Sequence, residues 1–532
     1  MDKTNLKFNI LAAILIIVFC LAMTPVTFQN DTFYTIKIGE YIMENGITGV
    51  DPFSWHEGLK YTFPHWAYDV LIYQIYNIGG FQGIYISTVL FSCILGLCIY
   101  FISVKLNKNR VLSFVITMIS IYLLRDYIAA RAQLVTFILF IFEIYSIEKF
   151  LQTKKKRYAI YLVLMSIAIA NLHVAVWPFY FVLFLPYIGE FVVYHIGELP
   201  KYILTIKKEV LRKNEENAEK VQKIESKITE FERKRKLHKE KYYKISVEKN
   251  DAVKWLIVVL IICILAGFIT PLGLTPFTYL YKTMQGNTTQ NINEHLPLTL
   301  YQNIEFMAVI VVFLAILTCT DTKIKLKDLL FLCGLLFLSF ASRRQTSMFI
   351  LVGGIILVRL IQEFLNKYDK NVSEFLEKLF TTVIGGVLLS ALVLGVSYHF
   401  GKPKIGNVYV DENTYPVYAS EYILNNLDLK NIKLYNEYNY GSYLLFKGVP
   451  VFIDSRADLY APEFNGKNDI FSDFLNISNI GTYYEDKFEE YGITHVIVYK
   501  NAKLNMFISR NSNYLQLYSD DSFCIYERLK GN

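Results

Sequence analysis

Residues 10–23 of the chain are ILAAILIIVFCLAM, an apolar run that follows Lys3 and Lys7. A cleavable signal peptide would carry a small-x-small pattern after such a run, but TPVTFQN follows and leads directly to Asp31. We therefore expect a retained first membrane span. Further apolar runs long enough to cross a hydrocarbon core of about 30 Å recur along a sequence that is 53% hydrophobic. The chain is predicted to be a polytopic α-helical membrane protein.

The loop after the first run is rich in chemically active side chains. Residues 29–69 are QNDTFYTIKIGEYIMENGITGVDPFSWHEGLKYTFPHWAYD. Loops that only join two membrane helices can be much shorter and plainer, whereas this one holds acids, imidazoles and indoles at the bilayer surface. The sequence therefore indicates a site in the first external loop, which we place at residues 26–82.

Hydropathy predicts about eleven transmembrane helices in all. Residues 67–82 are amphipathic and end in Gly79-Gly80, so we expect them along the membrane surface or on a re-entrant path. The spans after the first are expected at approximately 83–103, 111–124, 132–150, 158–172, 174–194, 255–271, 301–319, 328–341, 346–361 and 380–398.

The lysines and arginines between the spans predict the orientation. With the N-terminus inside, the inner connections are NKNR, KKKR, a long segment at 195–254, DTKIKLK and residues 362–378. Four of these five are strongly basic, as the positive-inside rule requires. The prediction is a multi-pass protein of the cell membrane with a cytoplasmic N-terminus and an extracytoplasmic C-terminal part.

This orientation brings the unusual polar residues of the membrane part to the outer face. An ordering based only on basic inner loops did not have to produce that convergence. It is what a catalytic or transport site assembled from many loops requires. The residues are Asp31, Asp51, His65, Asp69, Arg125, Asp126, Arg131, Asn171, His173, Glu294, His295, Arg343 and Arg344.

A charged insertion at residues 197–254 lies on the inner side. From Lys201 to Lys254 it carries seventeen Lys/Arg and ten Asp/Glu, a surplus of seven that equals the formal net charge of the chain, +7. Apolar residues recur from Val221 to Phe231 at helical spacing, which predicts a solvated amphipathic helix or a helical hairpin. Aromatic residues suited to stacking on bases are not interleaved through the basic run, so a position near anionic lipid is favoured and no nucleic-acid partner is expected.

Residues 399–532 change pattern after the membrane domain at 1–398. NIKLYNEY, VPVFIDSRADLY, THVIVYK and FCIYERL alternate like strands, and SEYILNNL and EDKFEEYG resemble short helices. We expect a small C-terminal α/β soluble domain. Tyr440, Gly441, Asp454, Arg456 and Asp458 either line a crevice at strand ends or form a structural ion-pair turn, and the turn is favoured.

Short motifs occur in order along the membrane part. They are the acid Asp31 after the first span, Gly39 and Gly46, DPFS at 51–54, P-x-W at 64–66, R-x-Q at 131–133, NLH at 171–173, TPLG at 270–273 and RR at 343–344. This order resembles the GT-C superfamily of bacterial membrane glycosyltransferases, and YGSYLL with VFIDSRADLY resembles the C-terminal domain of one branch.

The resemblance implies a transferase that moves a sugar from a polyprenyl-phosphate carrier in the membrane lipid to an unidentified outer-face acceptor. Asp31 matches the family's acid in the first external loop, and we predict it as the catalytic acid or base with Asp51 as support. Arg131, Arg343 and Arg344 are expected to hold the donor phosphate, because guanidinium forks match phosphate oxygens. The other residues expected to bind substrate are His65, Trp66, Asp69, Gln133, Asn171 and His173.

This chain departs from the family pattern at three points. It lacks the paired acids often seen there, has Asp69 where a Glu is usual after P-x-W, and carries the charged inner insertion. His65, His173 and His295 come from three loops without ligand spacing, which favours hydrogen-bonding roles over a metal site, and no cofactor is expected.

Other interpretations stay open. Arg343 and Arg344 could be cations snorkelling at a helix end. Trp55 and Trp66 could be interface anchors or stacking surfaces for a sugar ring. A transporter or flippase of a lipid-linked saccharide, or a non-catalytic envelope-assembly protein, are the rival functions. A transporter would want charges within the spans, whereas here they gather at one face.

Overall fold

The structure is a computed structural model that describes residues 3–213, 217–241 and 244–529. It is 71% helical, with small sheets, the larger of them in the C-terminal part. Within those residues, five segments are long and apolar enough to cross a membrane: Leu6–Met23, Trp66–Asn107, Val174–Arg212, Arg343–Tyr368 and Val383–Lys404. The prediction of a mostly helical protein, with helices able to cross a membrane, is thus confirmed. The count of eleven spans stays a prediction.

Among the described residues up to 404, most are helical and two short strands occur. The helices are α1 (Lys3–Met23), α2 (Asn30–Asn45), α3 (Trp66–Asn107), α4 (Arg110–Leu123), α5 (Ala132–Thr153), α6 (Lys156–Leu172), α7 (Trp177–Val182), α8 (Leu185–Arg212), α9 (Ala218–Lys241), α10 (Val253–Leu265), α11 (Thr275–Gln285), α12 (Thr288–Asn291), α13 (Ile304–Cys319), α14 (Leu326–Ala341), α15 (Thr346–Tyr368), α16 (Lys370–Thr381) and α17 (Val383–Gly401). The strands β1 (Ile245–Ser246) and β2 (Ile324–Lys325) pair in parallel.

Residues 26–82, the predicted first external loop, contain a helix that the sequence patterns did not predict. Asp31 lies in the first turn of α2, which packs against the start of α3. The two helices approach closely at Gly39. A Cβ at this position would lie 2.1 Å from the backbone oxygen of Asp69, so there is no space for a side chain. α3 joins the amphipathic segment to the next span and breaks at Gly80, whose φ is 57°. The acid of the loop therefore has a fixed position on a helix.

The charged insertion forms a helical hairpin of α8 and α9, the second of the two predicted alternatives. Lys208 and Glu225 are 2.8 Å apart across it, and Lys201 also pairs with Glu232. Residues 214–216, between the two helices in the sequence, lie outside the described residues, as do 242 and 243. Exposed pairs of this kind contribute little to stability, so the apolar residues between the helices hold the hairpin together.

The C-terminal part is an α/β unit built on a four-stranded sheet. The strand order is β3-β4-β6-β5, with β3 (Leu434–Tyr435) parallel to β4 (His495–Tyr499) and the antiparallel strands β5 (Tyr514–Ser519) and β6 (Phe523–Arg528) completing it. Around it lie α18 (Val417–Asn426), α19 (Tyr438–Phe446), α20 (Pro462–Asn465), α21 (Ile470–Asn479), α22 (Tyr484–Tyr491) and α23 (Lys503–Ile508).

One predicted strand of this unit is wrong. VPVFIDSRADLY forms a single parallel bridge, between Val451 and Ser54 of the first external loop, and then turns. The turn forms because the guanidinium of Arg456 folds back onto Asp454, with an Nε to Oδ1 distance of 2.8 Å. The ion-pair turn is therefore observed for Asp454 and Arg456, whereas Asp458 lines the cavity between this unit and the helices.

The first external loop and the C-terminal unit share one hydrophobic core. The ring of Phe33 lies 4.8 Å from that of Tyr415 and 5.0 Å from that of Tyr443. The indole of Trp55 donates to the backbone oxygen of Leu434 at 2.9 Å. These two parts of the sequence therefore form a single body above the ends of the membrane-part helices.

Candidate functional site

A cavity of about 970 Å³ lies between that body and the ends of the helices. Its walls come from α2, the loop before α3, the starts of α5 and α7, α11, the loop after α12, the end of α14 and the C-terminal unit. Six of the residues predicted from sequence line it: Asp31, His65, Arg131, Gln133, His173 and Arg344. The structure brings these six together, and Glu294 and His295, two more of the residues predicted on the outer face, also line the cavity.

Arg131 joins two acids at the centre of this cavity. Its Nη2 lies 2.6 Å from Oδ2 of Asp31, and its Nη1 donates to Oε1 of Glu294 at 2.7 Å. Burial alone would lower the pKa of Arg131, but the two carboxylates outweigh it and raise that pKa. Burial likewise opposes ionisation of Glu294, yet Arg131 and Arg344 hold its pKa below the ordinary value. Arg131 and Glu294 are therefore charged together at neutral pH.

Arg344 is held by an imidazole. Its Nη2 lies 3.1 Å from Nε2 of His173, whose Nδ1 lies 3.1 Å from Oγ1 of Thr136. Arginine is always a donor, so Nε2 accepts and the proton of His173 is on Nδ1, where it donates to Thr136. Burial, with help from His65 and the two arginines, lowers the pKa of His173 and keeps it neutral. Among the described residues, no carboxylate lies within 4.0 Å of the Arg344 guanidinium.

Glu294 is positioned by the backbone just before α15. The backbone N–H of Arg344 donates to the backbone oxygen of Glu294 at 2.9 Å. The backbone N–H of Arg343 donates to the backbone oxygen of Leu296 at the same distance. The side chain of Arg343 turns outward, with Nε 3.3 Å from the oxygen of Pro297, and lines a smaller cavity of about 240 Å³. Of the two adjacent arginines, only Arg344 lines the main cavity.

The opposite wall belongs to the C-terminal unit and α11. The Tyr279 hydroxyl donates to Oδ2 of Asp458 at 2.7 Å, and the Thr288 hydroxyl lies 3.4 Å from Oδ1. Burial raises the pKa of Asp458 although these hydroxyls favour its ionised form. Phe464, Phe471 and Phe474 line the same side. This wall combines a carboxylate with aromatic rings.

Asp51 lies outside the cavity. Its Oδ1 accepts from Nη1 of Arg456 at 2.6 Å and its Oδ2 accepts from the backbone N–H of Ser54 at 2.9 Å, with the side chain fully buried. Arg456 also makes two side-chain bonds to Asp454. Asp51 therefore links the first external loop to the C-terminal unit and has a structural role.

Trp66, Asp69 and Asn171 pack beneath the cavity without lining it. The indole of Trp66 donates to Oδ1 of Asn171 at 3.1 Å, and Asn171 donates to the backbone oxygen of Ile269 at 2.9 Å. Asp69 is fully buried where α2 crosses α3. Trp55 also packs in the protein, 5.7 Å from the ring of Phe452. The contacts of these four residues hold the walls of the cavity in place.

Sequence reasoning placed Glu294 on the outer face without assigning it a role, and it named Asp458 without placing it in the membrane site. Tyr279 carries no sequence signal at all. In the described parts of the chain, no three His, Cys, Asp or Glu side chains come together as a metal site. No family model matches this sequence, and no curated protein matches it.

Proposed function

We propose that the protein is a membrane glycosyltransferase that moves a sugar from a polyprenyl-phosphate carrier to an extracytoplasmic acceptor. The observation that supports this most is that Asp31, Arg131 and Arg344 line one large cavity at the ends of the membrane-part helices. Glycosyl transfer from a lipid phosphate needs a carboxylate beside the incoming hydroxyl and cations beside the departing phosphate. All three groups face the same space.

Arg344 is the cation we assign to the donor phosphate. Arg131 already contacts the carboxylates of Asp31 and Glu294, whereas the guanidinium of Arg344 has an imidazole as its side-chain partner. Its remaining N–H groups can bind a phosphate oxygen in the fork geometry that arginine offers. Arg131 instead fixes Asp31, and it supplies positive charge from a short distance.

Asp31 is the group we assign to the acceptor hydroxyl. It lies in the first turn of α2 and its side chain is 18% exposed, so it is held by a rigid element and still reachable. As the base it would take the proton of the attacking hydroxyl while Arg131 keeps the carboxylate in place. This assignment rests on one carboxylate, since Asp51 is occupied by Arg456.

The two walls of the cavity suit the two substrates. Val176, Phe179 and Leu338, from the membrane side, offer an apolar surface to the first units of a polyprenyl chain. Asp458 and the phenylalanines of the C-terminal unit offer a carboxylate and flat rings, which is how proteins commonly hold a saccharide acceptor. A lipid-linked donor and a sugar-bearing acceptor would meet between them.

The test is turnover by the purified protein in nanodiscs. Polyprenyl phosphate carrying labelled glucose, mannose or a pentose is supplied with an envelope extract as acceptor. We expect transfer by the wild type and a loss on the order of 10²–10⁴ for Asp31→Asn, because the shape stays and the proton acceptor goes. Asp126→Asn, an exposed acid on the same predicted face, is the matched control. In a parallel assay in sealed liposomes, label that crosses the bilayer still attached to its carrier would identify a flippase instead.

A further inference from the structure

The second half of α8 carries a stripe of exposed aliphatic side chains. They recur every three or four residues, so they lie on one face of the helix. Their exposed fractions run from 45% for Val192 to 64% for Ile196. The members of this stripe are Val192, Ile196, Leu199, Ile203, Ile206 and Val210. Apolar side chains in such a row need a cover other than water.

The hairpin itself does not cover the stripe. α9 lies on another face of α8, where Lys208 pairs with Glu225 at 2.8 Å and Glu198 pairs with Arg235. Ile224 of α9 is buried where the two helices meet, whereas Ile203 and Ile206 of α8 are 56% and 62% exposed. The charged helix therefore lies on one side of α8 and the apolar stripe on another.

The stripe continues the outer surface of the helix bundle. The buried residues of α8 end at Glu190, whose carboxylate accepts from the backbone N–H of Glu248 at 3.3 Å. Leu185, two turns before Val192 and on the same face, is already 56% exposed on the bundle. That part of the bundle lies in one of the segments able to cross a membrane. The stripe thus runs on from a surface that faces lipid.

The charge around the stripe is positive. The segment from Lys201 to Lys254 has a surplus of seven basic residues, and Lys207, Lys220 and Lys227 are exposed on the hairpin. A second copy of the chain on this stripe would bring two such surplus charges together, which costs free energy. Anionic headgroups would instead lower it, because basic residues beside an apolar face favour an anionic membrane surface.

From these observations we infer that residues 192–210 of α8 lie in the membrane interface, apolar stripe toward the acyl chains, and bind anionic phospholipid through the hairpin's lysines. α9 then lies on the aqueous side of α8. The arrangement makes the hairpin a lipid-binding surface at the opposite end of the bundle from the main cavity. This inference does not depend on which reaction the cavity supports.

The test places a fluorescent thiol label on the full-length protein. Ile203→Cys carries the label on the stripe, and Lys227→Cys, on the exposed side of α9, is the matched control. Cys319 and Cys333, two native cysteines exposed in the structure, are replaced by Ala. In nanodiscs of phosphatidylcholine and phosphatidylglycerol with brominated acyl chains, the label at 203 should lose most of its emission and the label at 227 should keep it. Adding Ile206→Glu should restore the emission at 203.

Three results would refute the inference. Equal emission at 203 and 227 would show that the stripe does not reach the acyl chains. In the unlabelled Ile203→Cys protein, a disulfide formed on mild oxidation between the 203 positions of two copies would show that a second chain covers the stripe. Quenching at 203 that is as strong in pure phosphatidylcholine as with phosphatidylglycerol would show that the stripe does not need anionic lipid to bind the membrane.

Discussion

Arg456 and Asp51 lie 405 residues apart in the chain, yet Nη1 of the arginine donates to Oδ1 of the aspartate at 2.6 Å. Their side chains are 3% and 0% exposed. Removing one partner of a buried ion pair leaves an uncompensated charge in a low-dielectric surrounding. This contact therefore fixes how the first external loop meets the C-terminal unit.

Asp51→Ala should destabilise the extramembrane body. We expect a loss on the order of 3 kcal/mol, because Arg456 keeps Asp454 but loses a charged partner. Thermal unfolding of the detergent-solubilised protein measures it as a lower midpoint. Asp126→Ala, whose side chain is 80% exposed, is the control and should unfold at the wild-type temperature. Loss of turnover in Asp51→Ala at an unchanged midpoint would make Asp51 a catalytic residue after all.

Arg344→Ala should weaken binding of polyprenyl monophosphate. A charge-assisted hydrogen bond contributes about 1.5–3 kcal/mol, so the affinity should fall by on the order of tenfold to a hundredfold. Arg344→Lys should recover only part, since lysine offers a point charge in place of a fork. Arg125→Ala, which breaks an exposed contact to Glu305, is the control. Equal binding by all of these variants would return Arg344 to the role of a cation snorkelling at a helix end.

His56 should make the stability fall in mild acid. Burial lowers the pKa of His56 to about 4, below the ordinary value of about 6.5 in the unfolded chain. Because the unfolded chain then binds the extra proton, stability is full above pH ~6.5 and falls by up to about 1.4 kcal/mol per pH unit toward pH ~4. His56→Gln keeps an N–H for the backbone oxygen of Phe452 and should show a shallower decline of the unfolding midpoint between pH ~7 and ~5. A decline as steep as in the wild type would assign the effect to other groups.

The orientation can be tested in intact cells. Cysteines placed at positions 300 and 410 should react with an impermeant thiol reagent, and one placed at 230 should not, because the basic connections are predicted to lie inside. Permeabilised cells should label all three and so provide the control. Labelling at 230 alone would invert the protein and put the main cavity on the cytoplasmic side.

The sequence predicted the helical class and the meeting of six polar residues, because apolar length and basic loops act locally. It missed α2 because Ile36, Ile38 and the rest of that helix pack against a unit almost 400 residues away, and no local period announces that partner. It mistook residues 449–460 for a strand, since alternation there was overridden by the fold-back of Arg456 onto Asp454. Asp51 was assigned to chemistry for the same reason: its partner is invisible until the chain is folded.

The shared core of residues 28–85 and 409–526 can form only after the C-terminal part has been synthesised. Asp51 leaves the ribosome 405 residues before Arg456, which at about 5–20 residues per second is a wait of roughly 20–80 seconds. Throughout that interval Phe33, Phe63 and Tyr34, which are buried in the finished protein, have no C-terminal partner to pack against. The cavity, whose lining extends to Leu475, is complete only after that part of the chain has been made. Until then the first loop exposes apolar side chains that a chaperone can bind.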